Sequence, residues 1–365
     1  MIHSLTTSHH SVAGSVVKLL LVAAFYTGQA RAQNASPDEH TGAIEAALSL
    51  PDTPRPLKIA TSFQLLAVNS IDSEASAFQF TGILSLQWND PRAAFDAGEL
   101  GISEKVYQGD FQFAELAQAW FPQVILSNEA GDFERQAVLL RVAPDGTTTL
   151  RQAIRATAKT QLNLRRLPFD HQQLKISFQL FGFARDQVIF ESPPTAVTYD
   201  LDELHVPQWA IVGVSATTDT SHEEASDSST FVINIEVARK PFFLVRVVGI
   251  PLVFCVLLTF SVFWMNPSAL AERMNISFIG ILTSVAYLIV ITDLLPQISY
   301  MTLAHGFLNF SLLAMCATAI ENLLVAIREQ NGKSAGSIDA RCRWLFPLTY
   351  FLLIGFAAVV AFTVY

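Results

Sequence analysis

Between residues 33 and 241 the chain has no cysteine, its three thiols being Cys255, Cys316 and Cys342. That absence excludes a disulfide framework from the larger, polar part of the chain, which must hold together by core packing. Basic residues are also scarce there, 15 Lys and Arg standing against 27 Asp and Glu between residues 33 and 241. So acidic a surface argues against a nucleic-acid partner. No Gly-rich phosphate loop, Gly-x-Ser-x-Gly elbow or repeated unit occurs, which removes the usual signs of nucleotide binding, hydrolase chemistry and solenoid folds. His171, His205 and His222 have no Cys or His neighbour at ligand spacing. No metal, cofactor or catalytic residue is therefore expected, and the plain reading of each is an ordinary surface or interface histidine.

What the chain has in excess is apolar surface, 51% of its residues being hydrophobic with a mean hydropathy of +0.36, crowded into the last third. Four runs, 242–265, 269–292, 301–327 and 344–365, are each long enough to cross a hydrocarbon core of about 30 Å at about 1.5 Å per residue. A fifth stretch, 16–25, carries Lys18 and precedes Ala30-Arg31-Ala32, a small-x-small cleavage site. Residues 1–32 read as a signal peptide, so that 33–241 are exported and 242–365 form the membrane domain. The first span then runs inward and the second outward, leaving a short linker, 328–343, in the cytoplasm. Arg328, Lys333, Arg341 and Arg343 agree with that orientation, and the outer connection 293–300 has no basic residue.

In the exported half, Ser36-Pro37-Asp38-Glu39 has the form of a capping box with proline at the first helical position, which predicts a helix over 37–49. Short β-rich segments follow at 63–68, 78–88, 137–142, 161–164, 173–181, 188–190, 209–214 and 231–237. Pro144-Asp145-Gly146 marks a hairpin turn, glycine supplying the positive φ. Eight or more such strands in this length predict a β-sandwich. Residues 219–230, DTSHEEASDSST, form an acidic loop, either simply solvated or covering a ligand.

The second apolar run reads ERMNISFIGILTSVAYLIVITD, with a carboxylate at each end. At 3.6 residues per turn Glu272, Asn275, Ile279, Leu282, Ala286, Ile289 and Asp293 share an arc of roughly 100°. A lipid-facing stripe has no use for two carboxylates, each costing several kcal/mol in hydrocarbon, whereas a water-filled pore removes that cost. Arg273, about 100° further round, should point toward neighbouring protein or headgroups. The plainer alternatives are a Glu272–Arg273 pair at a helix end and a packed face in a non-conducting bundle. Glu321 and His305, in the third run, are further titratable candidates that packing between spans explains equally well.

Leu167-Pro168-Phe169-Asp170-His171-Gln172 is similar to the Phe-Pro-Phe-Asp loop of the pentameric ligand-gated ion channels, the Cys-loop receptor family. The resemblance extends to Trp88-Asn89-Asp90-Pro91-Arg92, to Trp120-Phe121-Pro122-Gln123 with Gln for the usual Asp, to Arg239 before the first span, Pro251 inside it and Pro296 after the second. Where animal receptors carry two bracketing cysteines, this chain has Thr160 and Leu174, which matches the bacterial branch. The resemblance implies an extracellular all-β immunoglobulin-like sandwich followed by an all-α four-helix transmembrane bundle, in a homopentamer completed by four more identical subunits. It implies no enzyme but a cation-selective channel of a bacterial inner membrane, set in lipid, passing monovalent cations and opened by a small extracellular agonist or by protons. Glu272 would then set selectivity, Leu282 and Ile289 the hydrophobic gate, and Asp72, Pro168, Phe169, Asp170, Arg239 and Pro296 the coupling between the halves. For the ligand it points to Phe181, with Glu223, Glu224 and Phe231 beside the acidic loop. Ser127 and Ile83 stand where amine-binding relatives have aromatics, so a complete amine cage is not expected. A membrane-anchored, non-conducting sensor remains the alternative from another class.

Overall fold

The computed structural model describes residues 49–108, 120–193, 195–201, 204, 206–219, 228–266, 268–292, 295–332 and 336–364. The expected signal peptide, and the helix expected over 37–49 except its last residue, lie outside the described residues. Eleven strands are described: β1 Leu57–Asp72, β2 Ala77–Asn89, β3 Lys105–Gln108, β4 Val124–Leu126, β5 Glu129–Val142, β6 Thr147–Lys159, β7 His171–Leu180, β8 Val188–Glu191, β9 Val197–Tyr199, β10 Trp209–Asp219 and β11 Thr230–Arg239. One sheet runs β3-β5-β6-β2-β1-β8, with β9 also on β1, and the other β10-β11-β7-β4.

Period-two patterning decides which face of each strand is inside. On β2, Phe78, Phe80, Leu84, Leu86 and Trp88 are buried while Gln87 and Asn89 are exposed. On β11 and β7 the inward sets are Phe231, Ile233, Ile235 and Val237, and Leu174, Ile176, Phe178 and Leu180. The sheets meet through rings such as Phe63 of β1 and Phe178 of β7, centroids 5.7 Å apart. Each such side chain stabilises by about 1.5–3 kcal/mol on burial, enough in sum to replace disulfides. The turn after β5 forms as expected, Gly146 taking φ +84°. There Asp145 accepts from the Thr147 N–H and hydroxyl, which hold its carboxyl below the usual carboxylate range.

Two strand expectations need correction. Residues 161–164 are irregular, and the partner of β5 across the hairpin is β6, paired from Thr148↔Val142 to Ala158↔Glu129. Its inward side chains include Ile154, Ala156 and Ala158, too small and too interrupted by arginine to read as a strand.

Among the described residues four helices are long and apolar enough to cross a membrane: a first span, Phe242–Trp264, a second, Leu270–Thr292, a third, Leu303–Gln330, and a fourth, Gly336–Val364. The fourth begins eight residues before the expected 344, and the third runs on to Gln330, so most of the expected linker 328–343 is helical. Pro251 cannot donate to the carbonyl four residues back, and a π-helical turn, Val245–Gly249, precedes it. The orphaned Val247 carbonyl instead accepts from the Tyr287 hydroxyl of the second span. In hydrocarbon such a group must find a partner inside the protein.

Candidate functional site

The second span has two unlike faces. Its rear face is buried at Arg273, Ser277, Gly280, Ser284 and Ile291. Polar bonds stitch that face to its neighbours: Asn322 Nδ2 donates to Ser277 Oγ at 2.9 Å, and the Cys255 thiol to the Gly280 carbonyl at 3.6 Å. A Cβ on Gly280 would collide with the Thr259 hydroxyl, so glycine permits this close approach. Small and polar residues at an interface are what helix association in lipid selects, there being no hydrophobic drive between helices.

The opposite face is open within one chain. Glu272, Asn275, Ile279, Leu282, Ala286 and Ile289 are all exposed, Leu282 at 70% and Ile289 at 69%. Asp293, the outer end of the expected stripe, lies outside the described residues. Among the described residues Glu272 has no ion pair with Arg273, which pairs instead with Asp339 at 2.7 Å and stands 3.5 Å from Glu321. Arg273 thus points toward neighbouring protein, and a contact between spans stands in place of the alternative helix-end pair with Glu272.

A second cluster sits where the halves join. Arg239, at the end of β11, donates from Nε to Asp170 Oδ1 at 2.8 Å and from Nη2 to Oδ2 at 3.4 Å. Its guanidinium lies 4.0 Å from the Trp209 ring centroid. Arg239 and Asp170 are nearly fully buried, so their pairing offsets a large desolvation cost. The expected third member, Asp72, is exposed and accepts from the N–H groups of Glu74 and Ala75 in its own turn. The neighbouring Ser73 contacts Arg239 instead, its Oγ accepting at 3.1 Å. A short acidic side chain beside a tight turn satisfies local donors first.

The 160–174 loop is closed without a disulfide. The Thr160 hydroxyl donates to the Gln173 carbonyl at 3.0 Å, and Gln172 bridges Asn163 and Asp170. Carbonyls of this loop cap the third span, Leu303 N–H donating to Arg165 at 2.9 Å and Ala304 N–H to Leu167 at 3.1 Å. The Tyr300 hydroxyl accepts from Leu164 N–H at 3.0 Å. Pro168 and Phe169 border an apolar cavity of about 410 Å³, walled by Val248, Phe254, Leu295 and Phe307 of the membrane helices and their connection. Pro296 is half-buried nearby in sequence, in the connection between the second and third spans.

Elsewhere the expected ligand residues separate. Phe181 is 61% exposed just beyond β7, whereas Phe231 is fully buried against Phe190 and belongs to the sandwich core. Its position in the inward set of β11 decides this. Glu223 and Glu224 lie outside the described residues. Ser127 Oγ donates to the Ser177 carbonyl and Ile83 borders a shallow pocket with Gln108 and Arg151. Asp90 and Arg92 form a corner pair at 2.9 Å, its hydrogen bond raising the Arg92 guanidinium above its ordinary value. Trp120 packs edge-on to Trp88, centroids 5.8 Å apart. His305 joins Thr302, the cap of the third span. Sequence reasoning missed Ser73, Tyr300 and Asp339; only Tyr287 had a signal, the carbonyl that Pro251 orphans.

Comparison with known proteins bears on these features together. Residues 47–241 match the family described as the neurotransmitter-gated ion-channel ligand binding domain. A proton-gated ion channel of Gloeobacter violaceus is 23% identical over 308 residues, covering 83% of this chain and 82% of its own. A gamma-aminobutyric acid receptor subunit beta of Caenorhabditis elegans is 23% identical over 74% of this chain and 50% of its own. For an acetylcholine receptor subunit beta of Xenopus laevis the figures are 24%, 66% and 50%. The chain thus spans about half the length of these two receptor subunits.

Proposed function

The chain belongs to the neurotransmitter-gated ion-channel family, residues 47–241 matching its ligand-binding domain, and on that premise we propose that five identical copies form a cation-selective channel lined by the second span. The observation that carries this reading is the helix's division into a stitched rear face and an open stripe beginning at Glu272. One helix cannot enclose a pore, but a heterologous interface repeated around an axis closes into a ring. Five Glu272 carboxylates at one mouth would concentrate cations and repel anions, and rings of Leu282 and Ile289 would shut the conduit by dewetting. Asn275, Ile279 and Ala286 complete the lining, with Asp293 at the outer end.

Opening is driven from the extracellular half by a small agonist or by protons, the stimulus for which the Gloeobacter relative is named. Phe181, Glu223 and Glu224 are the residues we assign to agonist capture. Arg239, Asp170, Pro168, Phe169 and Pro296, with Asp72 in the adjoining turn, transmit the change to the spans. The absence of bracketing cysteines supports a bacterial inner membrane as the setting, with residues 33–241 in the periplasm.

The test is the reversal potential across a bilayer under a KCl gradient while bath pH is stepped and small amines are added. The parent should reverse near the potassium equilibrium potential, and Glu272→Gln should move that reversal toward zero. Currents with the same reversal in both would remove Glu272 from selectivity and with it the proposed pore face.

A further inference from the structure

Among residues 270–276, the end of the second span nearest Glu272, Arg273 alone is buried, at 1% exposed. Its guanidinium makes a two-pronged contact with Asp339 of the fourth span, Nη1 to Oδ2 at 2.9 Å and Nη2 to Oδ1 at 2.7 Å. Glu321 of the third span stands 3.5 Å from Nη2, farther than either prong of the Asp339 fork. The next buried anchor on the helix is Ser277, one turn further on. A forked arginine–carboxylate contact fixes direction as well as charge. Neighbouring side chains on a helix stand about 100° apart, so pinning Arg273 to the rear also pins where Glu272 points.

We propose that Asp339 is a positioning residue for ion selectivity, holding the first turn of the second span through Arg273 so that Glu272 faces the pore axis. This rests on the pore-lining reading above. It ties the span that buries least of itself to the one assigned to conduction. Without the Asp339 charge, the partner left to Arg273 is Glu321, on a different helix, its Oε2 3.5 Å from the same Nη2. The first turn would follow it.

The test uses the purified full-length protein with a nitroxide amino acid in place of Asn275, the three native thiols being kept, and pulsed electron paramagnetic resonance to measure distances between labels. The parent should give the two distances of a small regular pentagon. Asp339→Asn should shift and broaden both, and Asp339→Glu should restore them; a merely structural role would lower thermal stability and leave the distances alone. Arg273→Lys, which keeps the charge but loses the fork, should shift them in the same sense and serves if Asp339→Asn fails to assemble. Distances unchanged in the assembling variants would overturn the inference. A parent lacking the pentagonal pair would instead overturn the pore-lining reading beneath it.

Discussion

The Arg239–Asp170 contact makes a quantitative demand on how the two halves communicate. Arg239→Gln removes the only cation paired with Asp170 among the described ion pairs, leaving a carboxylate that is 1% exposed. Breaking a buried pair by deleting one partner costs about 3–5 kcal/mol, because the survivor stays desolvated without compensation. Gln172 Nε2, donating to Asp170 Oδ2 at 2.7 Å, recovers part of this, and the Trp209 contact is lost in addition. Deleting both charges, in Arg239→Gln with Asp170→Asn, leaves no uncompensated group, so the double variant should be milder than the sum of the singles. A coupling of about 2 kcal/mol is expected, within the range for residues in direct contact. The backbone bond from Arg239 N–H to the Asp170 carbonyl, 3.0 Å, survives in every variant, so the strand end itself should persist.

The assay is a full cycle of parent, two singles and double, read twice: by thermal unfolding of the assembled protein, and by the dose of whichever stimulus opens it. If the pair biases gating, each single should raise the half-activating dose and the double should recover much of the loss, about tenfold for each 1.4 kcal/mol of coupling. Pentamers should still elute intact on size-exclusion chromatography. Strict additivity in both readouts would refute the reasoning. Coupling in stability alone would leave the pair a static tie and remove it from the gating mechanism.

If Leu282 lines the gate, Leu282→Ser should hydrate the constriction and ease opening, lowering the half-activating dose about tenfold, equivalent to about 1.4 kcal/mol; an unaltered dose–response would count against Leu282 as the gate. Tyr287→Phe leaves the Val247 carbonyl without its partner and should cost about 1–3 kcal/mol of stability, visible as a lowered melting temperature. Gly280→Ala drives a methyl into the Thr259 hydroxyl and should destabilise by about 1–3 kcal/mol. Pairing it with Thr259→Ala should restore most of that loss, since the remaining Cβ contact is 3.4 Å. Asp145, held low by Thr147, stabilises its turn above the unfolded carboxyl value of about 4 and loses that contribution as pH falls through its depressed folded value. The melting gap between parent and Asp145→Ala should therefore close on acidification; a gap that widened would contradict that sign.

The strands legible from sequence are those whose inward set is large and branched. Phe231, Ile233, Ile235 and Val237 announce β11, and Phe78 to Trp88 announce β2, because alternation of bulky apolar residues with polar ones is the mark of a half-buried strand and does not fit a helical period. β6, TTTLRQAIRATAK, hides behind alanine and arginine, and its strand character comes from pairing on both sides with β2 and β5. The same alternation already includes Phe231 and by itself removes it from the ligand candidates. Its neighbourhood to the acidic loop suggested a site, and its parity on the strand put it in the core.

In the membrane half, sequence states the needs of a group but not who meets them. The 3.6 period separates the Glu272 stripe from the Arg273 face, yet the carboxylate that neutralises Arg273 lies 66 residues away in a segment that reads as polar linker. Asp339, Arg341 and Arg343 lowered the hydropathy there enough to move the expected start of the fourth span, although Asp339 is buried because the helix extends to reach Arg273. Pro251 makes the same point at the other end. A missing N–H foretells an orphaned carbonyl at Val247, and only the packing of the first span on the second supplies the Tyr287 hydroxyl, 40 residues on. Each of these contacts joins a polar need inside one span to a donor or acceptor in another, so the azimuth of the second helix is fixed at Arg273, Ser277, Gly280 and Tyr287 at once. Rotating it to hide the Glu272 stripe would break all four, which is why the open face is a property of the whole bundle and not of the stripe alone.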